Sequence, residues 1–336
     1  MENKKLPEPL IAFLILFFCL LASILGFMQI KPNPSKKNLV NNIMGDRVAV
    51  LALEGIIYES LHSKTPFKTV FNASNLKDEL YKALKDKQVK AVLIRVNSPG
   101  GTVGASQEIF SLIAQLKKAG KPTVISIGDV CASGCYYLAS ASDAIVANRG
   151  SITGSIGVIS QGLNFKGLLD KLGIVDQTFK TGKFKDLASP TRVLNQEEKD
   201  LLQNLINDSY QQFIEDVSKS RKLDINELRK HAQGQVYTGS QAIKIKLVDH
   251  LGTYDDSKNI LSKILKTKYG YKHPENLYFD ETWNRKNLSN FDTLLDLGLS
   301  DSLFSSVAKI QNSLGVNTHE EFSSLNYSKI LWMSNI

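Results

Sequence analysis

From residue 46 onward the chain alternates short, continuous apolar runs with stretches whose apolar residues recur every three or four positions. "RVAVLALEGII" reads as a strand, whereas "SNLKDELYKALKD" places Leu76, Leu80, Ala83 and Leu84 at helical spacing, with Ser74 or Asn75 positioned to cap it. "VKAVLIRV" is a second, nearly continuous apolar strand. "GASQEIFSLIAQLKKAG" is a helix that Gly120 stops, and "KPTVISIG" is a third strand. Apolar strands alternating with helices predict parallel βαβ units in a sheet covered on both faces, so the fold class is α/β. No internal repeat interrupts this pattern, and one domain is expected over residues 46–267. Beyond it, "YGYKHPENLYFDETWNRKNLSN" and the serine-rich remainder read as a separate, less regular extension over residues 268–336.

Ahead of the domain the pattern changes. After a short tail, residues 1–9, the segment "LIAFLILFFCLLASILGFMQI", residues 10–30, contains no charged side chain. At about 1.5 Å rise per residue, such a helix crosses a hydrocarbon core of roughly 30 Å. A cleaved signal peptide would have a shorter apolar region ending in an A-x-A-like site, which is absent here. The segment therefore reads as a single transmembrane helix, an uncleaved anchor that makes the lipid bilayer a partner. A Pro-, Asn- and Lys-rich linker, residues 31–45, follows. Lys4 and Lys5 precede the anchor and Lys31, Lys36 and Lys37 follow it, so charge does not set its orientation.

The 336 residues, 43% of them hydrophobic, suffice for a sizeable core. The net charge of +8 comes from dispersed lysines, without the aromatic-interleaved basic stripe of a nucleic-acid surface. No nucleic-acid partner is expected; a lysine-rich surface with some attraction to anionic lipid is the simpler reading. Cys19, Cys131 and Cys135 offer neither a disulfide framework nor a C-x-x-C metal site, and no metal or other cofactor is expected. Cys131 and Cys135 flank Ser133, but no nearby histidine would hold a thiolate, so both are read as small packing residues.

Candidate chemistry gathers where strands end, as it does in open α/β sheets. "AVLIRV" runs into "NSPGGTVGASQEI", where Gly100 and Gly101 could turn backbone N–H groups toward a bound carbonyl, or could serve only as a turn. "TVISIG" leads to Ser133 in "VCASGCYYLASAS", just before a helix. Its hydroxyl at a helix N-terminus could act as a nucleophile or as a plain N-cap, and the residues alone leave both open.

The motifs "VNSPGG", "ASGCYYLASASDAIVAN", "TGSIGV", "TGKFKDLASPTR" and "GQVYTGSQAIKIKLVDHLG", in that order, resemble the signal peptide peptidase A family. These are membrane-anchored serine proteases on the ClpP/crotonase type of fold. The resemblance spans roughly Val48 to Tyr254. It implies that Ser133 is the nucleophile, that Gly101 and Gly134 supply oxyanion-hole N–H groups, that Lys185 is the general base, and that the Ser155 hydroxyl orients the lysine. Cys135 stands where the family usually has glycine and would add a side chain beside the nucleophile, narrowing the substrate groove.

A base other than lysine is hard to find. His62, His231, His250, His273 and His319 are the five histidines, and none lies in the segments expected to form the site. A lysine serves only when neutral; its ordinary pKa is about 10.4, and a shift of about three units by burial costs roughly 4 kcal/mol. "TGKFKDLASPTR" is read as extended, with Lys183 and Lys185 on one face. Only the family motif singles out Lys185.

The expected protein is thus a serine endopeptidase of the cell membrane, single-pass, with its peptidase domain extracytoplasmic. By resemblance its substrates are cleaved signal peptides and other apolar peptides, and its subunits form a homo-oligomeric ring in which Ser133 of one protomer meets Lys185 of the next, projected by a strand at "VDQTFKTG". A crotonase-type acyl-CoA enzyme would share the oxyanion glycines but need neither anchor nor Lys185. A non-catalytic membrane scaffold would tolerate loss of Ser133. The tail "NYSKILWMSNI" is an extended apolar segment that could visit the substrate groove.

Overall fold

The computed structural model describes residues 45–59, 73–281 and 283. The anchor segment, the linker up to residue 44 and the tail "NYSKILWMSNI" lie outside these residues, and no described helix is long and apolar enough to cross a membrane. In chain order the elements are β1 (Arg47–Glu54), α1 (Ala73–Lys85), β2 (Val89–Ser98), α2 (Val103–Lys118), β3 (Thr123–Ala132), α3 (Gly134–Ala139), β4 (Ala144–Ala147) and β5 (Ile152–Gly154). They continue with α4 (Lys166–Lys171), α5 (Gln196–Arg221), α6 (Ile225–Lys230), β6 (Val236–Thr238), α7 (Gly239–Ala242), β7 (His250–Leu251), α8 (Tyr254–Lys268) and β8 (Tyr278–Asp280).

The fold is α/β, as the apolar strands require. The sheet runs β6-β5-β3-β2-β1-β8, and every pairing is parallel except β5 with β6. Alternate strand residues enter opposite cores. Ala49, Leu51, Leu53, Val92, Ile94, Val96, Ile125 and Ile127 face α1, α2, α3 and α5, while Val48, Val50, Ala91, Leu93 and Val124 face Leu261, Ile264 and Leu265 of α8. Burial on both faces is why these strands lack polar alternation. α2 ends as expected, with Gly120 at φ 75° and the Lys121 N–H donating to the Leu116 carbonyl.

Three expectations are corrected. α1 already includes Ala73, so Ser74 and Asn75 sit in its first turn and not before it. The folded unit continues past residue 267: β8 pairs with β1, Phe279 packs on the α8 core, and Trp283 joins the other core beside the Arg47 guanidinium. Its three-residue strand was too short to read in a polar, proline-containing stretch. Finally, "VDQTFKTG" forms no strand, and Lys183 and Lys185 lie in a succession of turns, not an extended segment. Asp186 folds this stretch by accepting hydrogen bonds from Lys180 and Arg192, and Arg192 also donates to Glu198.

β3 carries the feature that builds the site. Its first half pairs with β4 (Val124–Ile127 with Ala144–Ala147), its second half with β5 (Val130–Ala132 with Ile152–Gly154). The strand therefore ends between β2 and β5, with Ser98 beside Cys131 and Gly154 beside Ala132.

Candidate active site

The chain leaves β3 at Ser133 through a backbone conformation (φ 52°, ψ −122°) that side-chain-bearing residues rarely adopt. Two backbone hydrogen bonds hold it: the Ser133 N–H donates to the Gly154 carbonyl at 2.9 Å, and the Ser133 carbonyl accepts from the Tyr137 N–H at 2.9 Å, opening α3. Ser133 thus occupies the N-cap position, yet its side chain makes no capping hydrogen bond. The two readings left open by the sequence separate here: the backbone does the capping, and the hydroxyl is left to face the pocket. α3 is only six residues long, so local N–H groups matter more than a helix dipole.

Glycines are dictated by crowding around this turn. A Cβ on Gly100, itself at φ 104°, would lie 2.7 Å from the Ala132 carbonyl oxygen and 2.9 Å from the Ser133 Cβ; one on Gly101 would lie 1.8 Å from the Ile57 carbonyl oxygen. The loop is pinned from the other side by Ile57, whose N–H donates to Gly100 and whose carbonyl accepts from Thr102. A Cβ on Gly134 would sit 2.4 Å from the Ser106 Oγ and 3.2 Å from the Gly101 nitrogen. The Gly101 and Gly134 backbones therefore pack against each other beside Ser133, and neither N–H donates to a backbone carbonyl of the described residues. Paired N–H groups next to a serine hydroxyl are the geometry that stabilises a tetrahedral oxyanion.

Ser133, Gly101, Gly134 and Ser155 all line one open pocket of about 1050 Å³. Ser155 is a second serine at positive φ (51°), fixed by its N–H donating to the Gln235 carbonyl at 2.7 Å. Ile56, Val103, Tyr137, Ile159 and Phe213 give the pocket an apolar wall. The Tyr137 ring packs between Phe110 and Phe213, and its hydroxyl donates to Asp216; burial, then that carboxylate, push the phenol pKa upward. These four residues come from three places in the chain: Ser133 and Gly134 from the end of β3, Gly101 from the loop after β2 and Ser155 from the end of β5.

Lys185 is the exception. It is exposed and is not among the residues lining the pocket. It sits on an arm, residues 158–195, whose helix α4 buries no side chain and whose Ile159, Leu163, Val175 and Phe179 are 87%, 70%, 78% and 95% exposed. The described residues do not supply Lys185 with the burial that a neutral lysine base needs.

The model of peptidase family S49 matches residues 115–268, a span holding Ser133, Gly134, Ser155 and Lys185. A candidate protease of Methanocaldococcus jannaschii is 39% identical over 260 residues, covering 76% of this chain and 81% of that one. The chain belongs to peptidase family S49. This S49 chain is also 37% identical over 229 residues to a candidate signal peptide peptidase SppA of Enterococcus faecium, covering 68% of this chain and 67% of that one. It matches Protease 4 of Haemophilus influenzae at 36% identity over 222 residues, 64% of this chain but only 34% of that longer one. The chain is a serine peptidase of the signal peptide peptidase A family, and the acyl-CoA and scaffold alternatives are not favoured.

One reading of the S49 sequence is overturned on either side of Ser133. Cys131 and Cys135 are joined by a disulfide, with Cα atoms 5.1 Å apart. Counting cysteines for a framework missed it, because a strand end followed by one tight turn brings positions four apart within bridging distance. Cys135 is wholly buried and absent from the pocket lining, so it does not narrow the groove.

The sequence also missed Ser106, Tyr137 and the Ala232–Gly234 wall of the pocket. Tyr137 carried a signal in hindsight, four residues after Ser133 and so one helical turn on. Ala232–Gly234 carried none: it reaches the site because the Gly234 N–H donates to the Ile156 carbonyl, a long-range pairing. His231, just before that wall, has its ring packed edge-on to Tyr237 and does not line the pocket.

Proposed function

We propose that this S49 peptidase is a membrane-bound serine endopeptidase that uses a Ser133/Lys185 dyad to cleave residual signal peptides and other apolar peptides. The observation that carries the reading is the uncapped hydroxyl of Ser133, on its strained turn, beside the paired Gly101 and Gly134 N–H groups in one apolar-walled pocket. The substrate class draws on that wall and on the name of the Enterococcus relative.

In this mechanism neutral Lys185 takes the proton as Ser133 Oγ attacks the scissile carbonyl, and the developing oxyanion accepts hydrogen bonds from Gly101 and Gly134. Collapse expels the amine, which leaves with the proton from Lys185. Water, deprotonated by the same lysine, then hydrolyses the acyl-enzyme and frees Ser133. Ser155 holds the lysine amine in line.

The exposed, apolar arm supports a closed ring in which each protomer lays its arm against the next, burying Lys185 beside the neighbour's Ser133. The ClpP/crotonase assignment draws support from the division of β3 between β4 and β5. The anchor at 10–30 would place the enzyme in the cell membrane as a single-pass protein, and the Cys131–Cys135 disulfide favours an oxidising, extracytoplasmic side for the peptidase domain.

The test is labelling with a fluorophosphonate probe followed by peptide mapping. Attachment to Ser133, abolished by Ser133→Ala, is the expected result. A catalytically active preparation that carries the probe on another residue, or none, would reject Ser133 as nucleophile.

A further inference from the structure

We propose that the Cys131–Cys135 disulfide is a positioning device that holds Ser133 in its catalytic backbone conformation. The inference rests on Ser133 being the nucleophile and goes beyond it, since nothing in the dyad mechanism calls for a covalent brace. The bond spans the nucleophile symmetrically, from the penultimate residue of β3 to the second residue of α3. Both ends are anchored independently of Ser133. Cys131 is paired with Ser98 on one side and Thr153 on the other, and its carbonyl accepts from the Thr153 hydroxyl at 2.7 Å. Cys135 is fully buried in the larger core, next to Tyr136, whose hydroxyl donates to the Leu247 carbonyl.

Between these fixed ends the backbone adopts φ 52°, ψ −122°, a conformation in which a serine is strained. Relaxation of Ser133 toward negative φ redirects the chain on either side of it and changes the separation of residues 131 and 135. A disulfide fixes that separation within narrow limits. It also keeps the Ser133 Cβ packed on Gly100, where there is no room for an added carbon. The loop closed by the bond is very short, so its effect on the unfolded chain is at the low end for a disulfide. Its main consequence is therefore local. Both cysteines are 0% exposed, which makes the bond a permanent brace, closed to exchange with a dithiol while the protein stays folded.

The experiment compares the full-length enzyme with Cys131→Ala, Cys135→Ala and the double variant. First, mass spectrometry of the denatured, alkylated but unreduced wild type is expected to recover Cys131 and Cys135 as one cross-linked peptide. Then kcat and KM are measured at 25 °C with an apolar peptide substrate, together with the rate of fluorophosphonate attachment to Ser133. All three variants are expected to lose about tenfold in kcat and in labelling rate, with KM within twofold. The losses should be equal, because each variant breaks the same bond. Free thiols at both positions in the native enzyme overturn the proposal, as do kcat and labelling rates within twofold of wild type, or single losses that add in the double variant. Should alanine prevent folding, the nearly isosteric Cys131→Ser/Cys135→Ser pair is read by the same criteria. Wild type that is not labelled at Ser133 would instead defeat the nucleophile assignment, so the two failures are distinguishable.

Discussion

The turn at Ser133 and the arm that carries Lys185 are held in opposite ways. Around Ser133 the chain is fixed by backbone hydrogen bonds to Gly154 and Tyr137, by a disulfide, and by glycines with no spare volume. Around Lys185 the structure rests on side-chain ion pairs: Lys180 with Asp186, Arg192 with Asp186 and Glu198, Lys183 with Glu197. Apolar burial, the dominant source of rigidity, is abundant at the first and missing from α4 at the second. An oxyanion hole must be built before substrate arrives, because it acts through preorganisation. A lysine base must be desolvated, and a thin arm can achieve that only against another surface. The contrast leaves Ser133, one half of the proposed dyad, in a built pocket and Lys185, the other half, exposed outside it.

Mixing experiments give the largest expected effect and bear directly on this division. Ser133→Ala and Lys185→Ala should each lose about 10⁴-fold or more in kcat. Lys185→Arg should be equally inactive, since a guanidinium does not deprotonate in this role. Assembled together, Ser133→Ala and Lys185→Ala chains should regain activity, because some interfaces join an intact Ser133 to an intact Lys185. Peptide turnover by mixed assemblies, verified by differential tags, is the measurement. Mixed rings that form but stay inactive would place both residues of the dyad in one chain.

Why the two regions differed in legibility follows from the same physics. The Ser133 region is made of short-range signals: apolar strand runs, a Pro-Gly-Gly turn and a serine between small residues, each tied to a local backbone geometry. The arm offered no such signal. Its apolar residues resemble those of a strand at "VDQTFKTG", but no partner strand exists among the described residues, and Asp186 gathers Lys180 and Arg192 into turns instead. Lys185 was legible only through the family motif, because its side chain is exposed and outside the pocket lining, so nothing in its own neighbours marks it. The Cys131–Cys135 bond and β8 escaped for other reasons: the bond depends on the backbone angles of one tight turn, and β8 on where the chain returns in space, neither of which hydrophobic periodicity encodes.

Glycine substitutions probe the rigid half, with an intermediate effect. Gly101→Ala places a carbon 1.8 Å from the Ile57 carbonyl oxygen and within 2.6 Å of the Ile57 backbone nitrogen, so the loop itself must move. A loss of about 10²–10³-fold in kcat is expected from the displaced N–H. Gly134→Ala meets instead the Ser106 side chain, whose Oγ is 2.4 Å from the new carbon while its Cβ is 3.4 Å away. Removing that oxygen should help: Ser106→Ala is expected to restore much of the activity lost in Gly134→Ala and none of that lost in Gly101→Ala. Equal response of both glycine variants to Ser106→Ala would show that the crowding is not local.

Acid should loosen the arm before it touches the site, with the smallest effect on turnover. Arg192, then the Asn195 N–H, hold the Glu198 carboxyl at a pKa of about 2, and Arg192 with Lys180 keeps Asp186 well below the usual carboxylate range. Both folded-state values lie below the unfolded ones, so the ion pairs contribute fully above about pH 4.5 and are lost as pH falls toward 2. Glu198 also forms the capping box of α5 with Asn195, which couples the arm to the start of that helix. Arg192→Met removes the main cause of both shifts. It should raise the pH at which residues 176–198 lose hydrogen-exchange protection to about 4, near an ordinary carboxylate. At neutral pH it should lower kcat severalfold while leaving exchange in β2 and β3 unchanged, because those strands share no contact with the ion pairs. Equal loss of protection in β3 would mean that arm and core unfold as one unit, and the division between the two halves of the dyad would then fail.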